Sequence, residues 1–176
     1  MIRKPGAALV WWQSLQPDPD RGRAGDRAAL ARLRRCATVA EAMAEAAAID
    51  LFRRCEADHP NDLPTVALTA AVLAHVRRDA PKMPVARRIG PDSPDSPPES
   101  ALLKPLRFQR LMQAREPDER LVLFRRLVML ADRELNVRDL SEATLFWTGK
   151  LRRQWTYLYW SASPSDPAAE TIAPAA

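Results

Sequence analysis

Proline and glycine cut this chain into short pieces, and inside almost every piece the apolar residues recur at three- or four-residue spacing, the period of a helix. Residues 7–16 place Leu9, Trp12 and Leu15 on one face before Pro17-Asp18-Pro19-Asp20 ends the run. Asp26 caps a second helix in which Leu30, Leu33 and Ala37 share a face, Arg32 and Arg35 point outward and Arg34 lies beside the apolar seam. Thr38-Val39-Ala40-Glu41 is a capping box and opens a third helix expected to reach about Ala57. Asp62 and Pro64 open a fourth, apolar at 63/66/70/73 and again at 68/72/76, so burial on most sides is expected. With 30 alanines and only 5 glycines in 176 residues, the composition agrees with helix and argues against a sandwich or barrel.

The character changes at 81–98, where six prolines and the run Gly90-Pro91-Asp92-Ser93-Pro94-Asp95-Ser96-Pro97-Pro98 predict an extended loop or linker. Beyond it Phe108, Leu111 and Met112 share a helical face with Arg107 and Arg110 on its flank. Pro117, Asp118 and Glu119 start the next helix, with Leu121, Phe124, Leu127, Val128 and Ala131 as its buried stripe and Arg126 and Arg133 opposite. Asn136 is a cap for the last element, whose stripe Leu140, Thr144, Trp147, Leu151, Trp155 and Leu158 stays in phase through Gly149, so one helix is expected to continue with a soft spot there. Phe146, Arg153, Tyr157 and Trp160 then fall on a second face, able to stack bases or to pack on a neighbour. The expected fold class is all-α, two bundle-like halves at 1–80 and 100–160 joined by the proline-rich linker 81–99, with a disordered tail at 161–176.

Cys36 and Cys55 lack CxxC spacing and read as free thiols in or near the core, and His59 and His75 have no ligand-type neighbour, so no metal is expected. No histidine, carboxylate pair or glycine loop forms a catalytic set, and nothing calls for a cofactor, so an enzyme is not expected. No apolar run is long enough to span a membrane and no convincing leader is present, so a cytoplasmic protein is expected. The net charge of +5 hides its distribution: residues 101–160 alone hold 12 basic and 7 acidic groups, and arginine outnumbers lysine 23 to 4. Guanidinium pairs with phosphate bidentately and stacks on bases, so the balance suits a polyanion, although a solvated arginine-rich surface has the same composition.

The strings Leu106-Arg107-Phe108-Gln109-Arg110-Leu111-Met112, Leu123-Phe124-Arg125-Arg126-Leu127-Val128, Asn136-Val137-Arg138-Asp139-Leu140 and Phe146-Trp147-Thr148-Gly149-Lys150-Leu151-Arg152-Arg153-Gln154-Trp155 occur in that order. Upstream stand Trp11-Trp12 with Leu15, and Arg21-Gly22-Arg23-Ala24 through Leu33-Arg34-Arg35. In order and spacing they resemble the CasB family, the small subunit of the type I-E CRISPR surveillance complex, Cascade. Two departures are the richness of the linker in proline and Pro105 immediately before the Leu-Arg-Phe element.

The resemblance implies a non-catalytic, all-helical protein that works as a pair of copies beside the large subunit and the repeated backbone subunits. Its basic surface would brace the guide RNA and target DNA and hold the displaced single strand, favouring an R-loop whose formation is nearly balanced in energy. Carried over onto this chain, the nucleic-acid-binding candidates are Arg35, Arg107, Arg126 and Lys150, followed by Arg34, Arg110, Arg152 and Arg153. Leu33, Phe108, Phe124, Leu127, Trp147 and Trp155 are assigned to the core. Two other readings remain open: a stand-alone DNA-binding regulator using 137–150 as a recognition helix, and a helical scaffold without a nucleic-acid role.

Overall fold

The computed structural model describes residues 1–160, and the tail expected at 161–176 lies outside them. The fold is predominantly helical. The first half of the chain supplies α1 (Ala7–Leu15), α2 (Arg27–Arg35), α3 (Val39–Met43), α4 (Ala46–Arg54) and α5 (Leu63–Leu73). The second supplies α7 (Pro105–Gln113), α8 (Pro117–Leu130), α9 (Val137–Leu145) and α10 (Gly149–Tyr159), with the short α6 (Val85–Ile89) between the two sets. Strands β1 (Arg78–Asp79) and β2 (Glu134–Leu135) pair in parallel, Arg78 opposite Glu134 and Asp79 opposite Leu135.

Helix α5 organises the core because its sequence is apolar all round. Residues 66–73 are buried without exception, including Thr69, whose hydroxyl donates to the Thr65 carbonyl at 2.9 Å. It packs on α3 and α4 from the first half and on α8 and α9 from the second. Carboxylates reinforce that union by capping helices far away in sequence. Asp118 in α8 accepts from the Val39 amide at 2.7 Å, and Asp79 accepts from Val137 at 3.0 Å. Asp139 in α9 accepts from Val85 at 2.6 Å. Each satisfies an amide that a helix N-terminus cannot pair internally.

Several caps stand where the sequence predicts them. Asp26 accepts from Ala29 at 2.8 Å and Asn136 from Asp139 at 3.0 Å. In the capping box Thr38 accepts from Glu41 at 3.2 Å, while the Glu41 carboxylate reaches one residue further back, to the Ala37 amide at 2.6 Å. Pro105 and Pro117 open α7 and α8, where a missing amide hydrogen costs nothing. Both cysteines are buried free thiols, and burial pushes Cys55 up to about 11.

Four local expectations change. The helix from Thr38 breaks after Met43: Glu45 adopts extended backbone and starts α4, which turns Ala47, Ala48 and Leu51 into the core and offers the Ala47 carbonyl to the Trp11 indole at 3.1 Å. The proline-rich stretch is not wholly extended, because α6 buries Val85, Ala86 and Ile89 there and packs on α10. Helix α8 ends at Leu130, and Asp132 and Arg133 turn the chain with φ of 53° and 59°, so Arg133 does not lie on the helix opposite Arg126. The last helix is two: Phe146 leaves helical geometry and Thr148 restarts it, its hydroxyl accepting from Leu151 at 3.3 Å. The break keeps half-buried Trp147 edge-on to Phe124 and Trp155, at 5.2 and 5.1 Å between centroids, so the apolar stripe survives the interruption.

Candidate nucleic-acid interface

Helices α7 and α8 meet along their apolar faces, with Phe108, Leu111, Phe124, Leu127 and Val128 buried. Helical geometry puts the intervening basic residues on the rims. Arg107 and Arg110 stand on the α7 rim and Arg126 on α8, all exposed, around a groove of about 690 Å³. Leu103, Leu123 and Met129 contribute apolar surface to it. Arg107 and Arg126 make no ion pair among the described residues, whereas Arg110 lies 3.5 Å from Glu119. That pair is exposed at both ends, so it holds Arg110 only loosely.

The adjacent Arg125 behaves differently. Its terminal nitrogens donate to the Cys36 and Leu33 carbonyls at 2.6 and 3.0 Å, tying α8 to the end of α2, and burial lowers the affinity of its guanidinium for the proton. The sequence carries a sign of this: Arg125 follows Leu121 by four positions and precedes Val128 by three, and so falls on the buried stripe.

Over residues 29–160 the chain matches the family model of CRISPR-associated protein Cse2. The chain belongs to this family. It is the CasB/Cse2 family of type I-E Cascade, whose members are its structural small subunit. The matched region begins inside α2 and takes in every candidate arginine, leaving α1 with Trp11 and Trp12 outside it. Neither the curated proteins nor the solved structures provide a match.

Within this Cse2 chain the remaining candidates separate into three situations. Arg34 is half-buried, its Nε donating to the Ala74 carbonyl at 2.6 Å at the end of α5. Arg35 is exposed, in a depression it shares with Arg32, Glu41 and Glu45. In the first turns of α10, Lys150 and Arg153 are exposed, while Arg152 is partly buried and donates to the Met112 carbonyl at 3.0 Å, joining α10 to the end of α7. Arg152 and Arg153 line one shallow depression with Met112 and Thr156. The structure therefore gathers Arg107, Arg110 and Arg126, and keeps Arg34 and Arg35 apart from that groove's lining.

The aromatic face expected on the last helix is divided, since Phe146 ends α9 and lies beside Pro5 and Arg138 while Tyr157 and Trp160 remain exposed on or next to α10. A recognition helix at 137–150 is not available: α9 buries Val137, Leu140, Ser141, Ala143, Thr144 and Leu145, and the chain breaks before Gly149. Among the described residues no group of three or more His, Cys, Asp or Glu side chains could hold a metal, and no helix is long and apolar enough to cross a membrane.

Proposed function

We propose that this chain, as the small subunit of Cascade, grips nucleic-acid backbone through the α7/α8 groove and stabilises the R-loop without catalysis. The observation that carries the reading is that Arg107, Arg110 and Arg126 converge from two helices on one groove, with Arg107 and Arg126 free of carboxylate partners among the described residues. Side chains rooted in packed helices give a fixed array of guanidinium groups, which pair with phosphate oxygens in any sequence. Guide–target pairing replaces a duplex of similar stability, so a few such contacts decide whether the displaced strand stays open. Lys150, Arg153 and Arg35 would extend the contact, with Arg34 and Arg152 anchored nearer the protein surface. The proposed partners are guide RNA, target and displaced DNA, the large and repeated backbone subunits and a second copy of this chain, in the cytoplasm.

Binding of the isolated protein to single-stranded oligonucleotides of mixed and homopolymeric sequence, followed by gel retardation at several salt concentrations, tests this reading. Weak binding indifferent to sequence is expected, with log affinity falling against log salt by roughly 0.7 for each phosphate neutralised. Protection of one fixed sequence, or no retention at low salt, would contradict it.

A further inference from the structure

A second group of arginines, away from the groove, is assembled by tertiary contacts. Pairing of β1 with β2 brings the Arg133 carbonyl to the Arg77 and Arg78 amides, at 2.8 and 3.2 Å. Arg34 joins them from α2, held by the bond from its Nε to the Ala74 carbonyl, three residues before Arg77. That bond leaves the two terminal nitrogens of Arg34 without a partner among the described residues.

Acids lie close by, since Asp18, Asp20, Asp79 and Glu134 line a depression with Arg77, but Asp18 pairs with Arg21 and Arg23 and Asp79 accepts from the Val137 amide. Asp132 and Glu134 flank Arg133 in sequence, but Arg78 takes them, at 4.0 and 2.7 Å, and neither Arg34, Arg77 nor Arg133 makes an ion pair among the described residues. The charges act on one another. Burial is the main cause that lowers the Arg34 proton affinity, and Arg133 and Arg77 add to it. His75 sits among Arg125, Arg34 and Arg133, and burial with those charges pushes it down to about 4, so it is neutral near pH 7 and supplies no counter-charge. Cations that no acid pairs directly repel one another, and a bound anion relieves that repulsion.

We propose that Arg34, Arg77 and Arg133 form a second phosphate site, which takes a phosphodiester of a nucleic-acid strand beyond the stretch held by the α7/α8 groove. Arg125 links the two sites, because it lines the groove and also bonds to the end of α2 from which Arg34 projects. The proposal rests on the nucleic-acid reading above as far as the strand is concerned; the anion-binding chemistry stands on the cluster itself.

The test uses the full chain and the variant Arg77→Gln with Arg133→Asn, asparagine being chosen because it tolerates the left-handed backbone at that position. Arg34 is left alone since it holds α5 in place. Melting curves are recorded with inorganic pyrophosphate and with chloride at equal ionic strength. Pyrophosphate is expected to raise the melting temperature of the wild type and to lose at least half that effect on the variant. An equal shift in both proteins would overturn the site.

In parallel, binding to an oligothymidylate of about 30 nucleotides is measured against salt. The variant is expected to lose about 1.4 from the slope, roughly 0.7 for each cation removed. A lost pyrophosphate effect with an unchanged slope would overturn the proposal by assigning the cluster to free phosphate. If the wild type responds to pyrophosphate but binds no oligonucleotide, the nucleic-acid reading fails and takes the strand with it, while the anion cluster stands. Should the double variant fail to fold, Arg77→Gln alone is measured, with about half of each effect expected and no effect contradicting the site.

Discussion

Gly90 and the backbone of Tyr159 meet with no room for a side chain: a Cβ on Gly90 would lie 2.0 Å from the Tyr159 carbonyl oxygen. The Gly90 backbone has φ of −79°, so space and not conformational freedom requires glycine there. This contact seats α10, whose Tyr159 stacks on Phe108 of α7 at 3.8 Å and donates its hydroxyl to the Leu103 carbonyl at 2.6 Å. Gly90→Ala is therefore expected to destabilise the protein by about 3 kcal/mol, at the upper end of overpacking, because backbone and not a flexible side chain must move. Urea unfolding measures it, and an unchanged midpoint would show that the two segments are not pressed together.

The neighbours Arg125 and Arg126 should give opposite results on replacement by alanine. Arg125→Ala removes two charge-assisted bonds to α2 and is expected to cost about 2 kcal/mol. Arg126→Ala, on an exposed side chain without an ion pair among the described residues, is expected to stay within about 0.5 kcal/mol. Denaturant curves of the two variants check the contrast, and equal losses would mean that Arg125 is no more firmly anchored than Arg126.

His75 gives stability an acid limb. Burial, with Arg125, Arg34 and Arg133 close by, depresses its folded value to about 4 from an ordinary 6.5. Its contribution is complete above pH 6.5 and is lost as pH falls toward 4, where the unfolded chain takes up the proton and the folded one does not. The melting temperature of His75→Gln relative to wild type is expected to rise as pH drops through that window. Parallel curves for the two proteins would place His75 in contact with solvent.

What the sequence made legible follows from how local each signal is. The start and buried stripe of α8 are written in Pro117, Asp118 and Glu119 and in the spacing of Leu121, Phe124, Leu127 and Val128. The break at 146–148 was hidden because Leu140, Thr144, Trp147 and Leu151 keep helical phase across it, and only Thr148 as a cap marks it. Helix α6 was masked by the prolines around it, although Val85, Ala86 and Ile89 carry a helical pattern. Arg107 and Arg110 share a rim by spacing alone, but their meeting with Arg126 depends on how α7 packs on α8. Arg34, Arg77 and Arg133 could not be joined from sequence, since a two-residue strand pairing brings Arg77 to Arg133 and a single bond to the Ala74 carbonyl brings Arg34 to both.

The groove's role is tested most directly by charge reversal within the assembled complex. Arg107→Glu with Arg126→Glu removes two exposed guanidinium groups and sets carboxylates in their place, while Phe108, Leu111, Phe124 and Leu127 beneath them stay buried. Target binding is measured by gel shift of Cascade carrying the double variant on matched double-stranded DNA at several salt concentrations, alongside a melting curve of the isolated subunit. The expected result is normal melting and normal copurification with guide RNA and the other subunits, with weaker target binding and a smaller salt slope. Unchanged affinity and slope with normal melting would contradict the account, and loss of assembly would place the groove at a subunit interface instead.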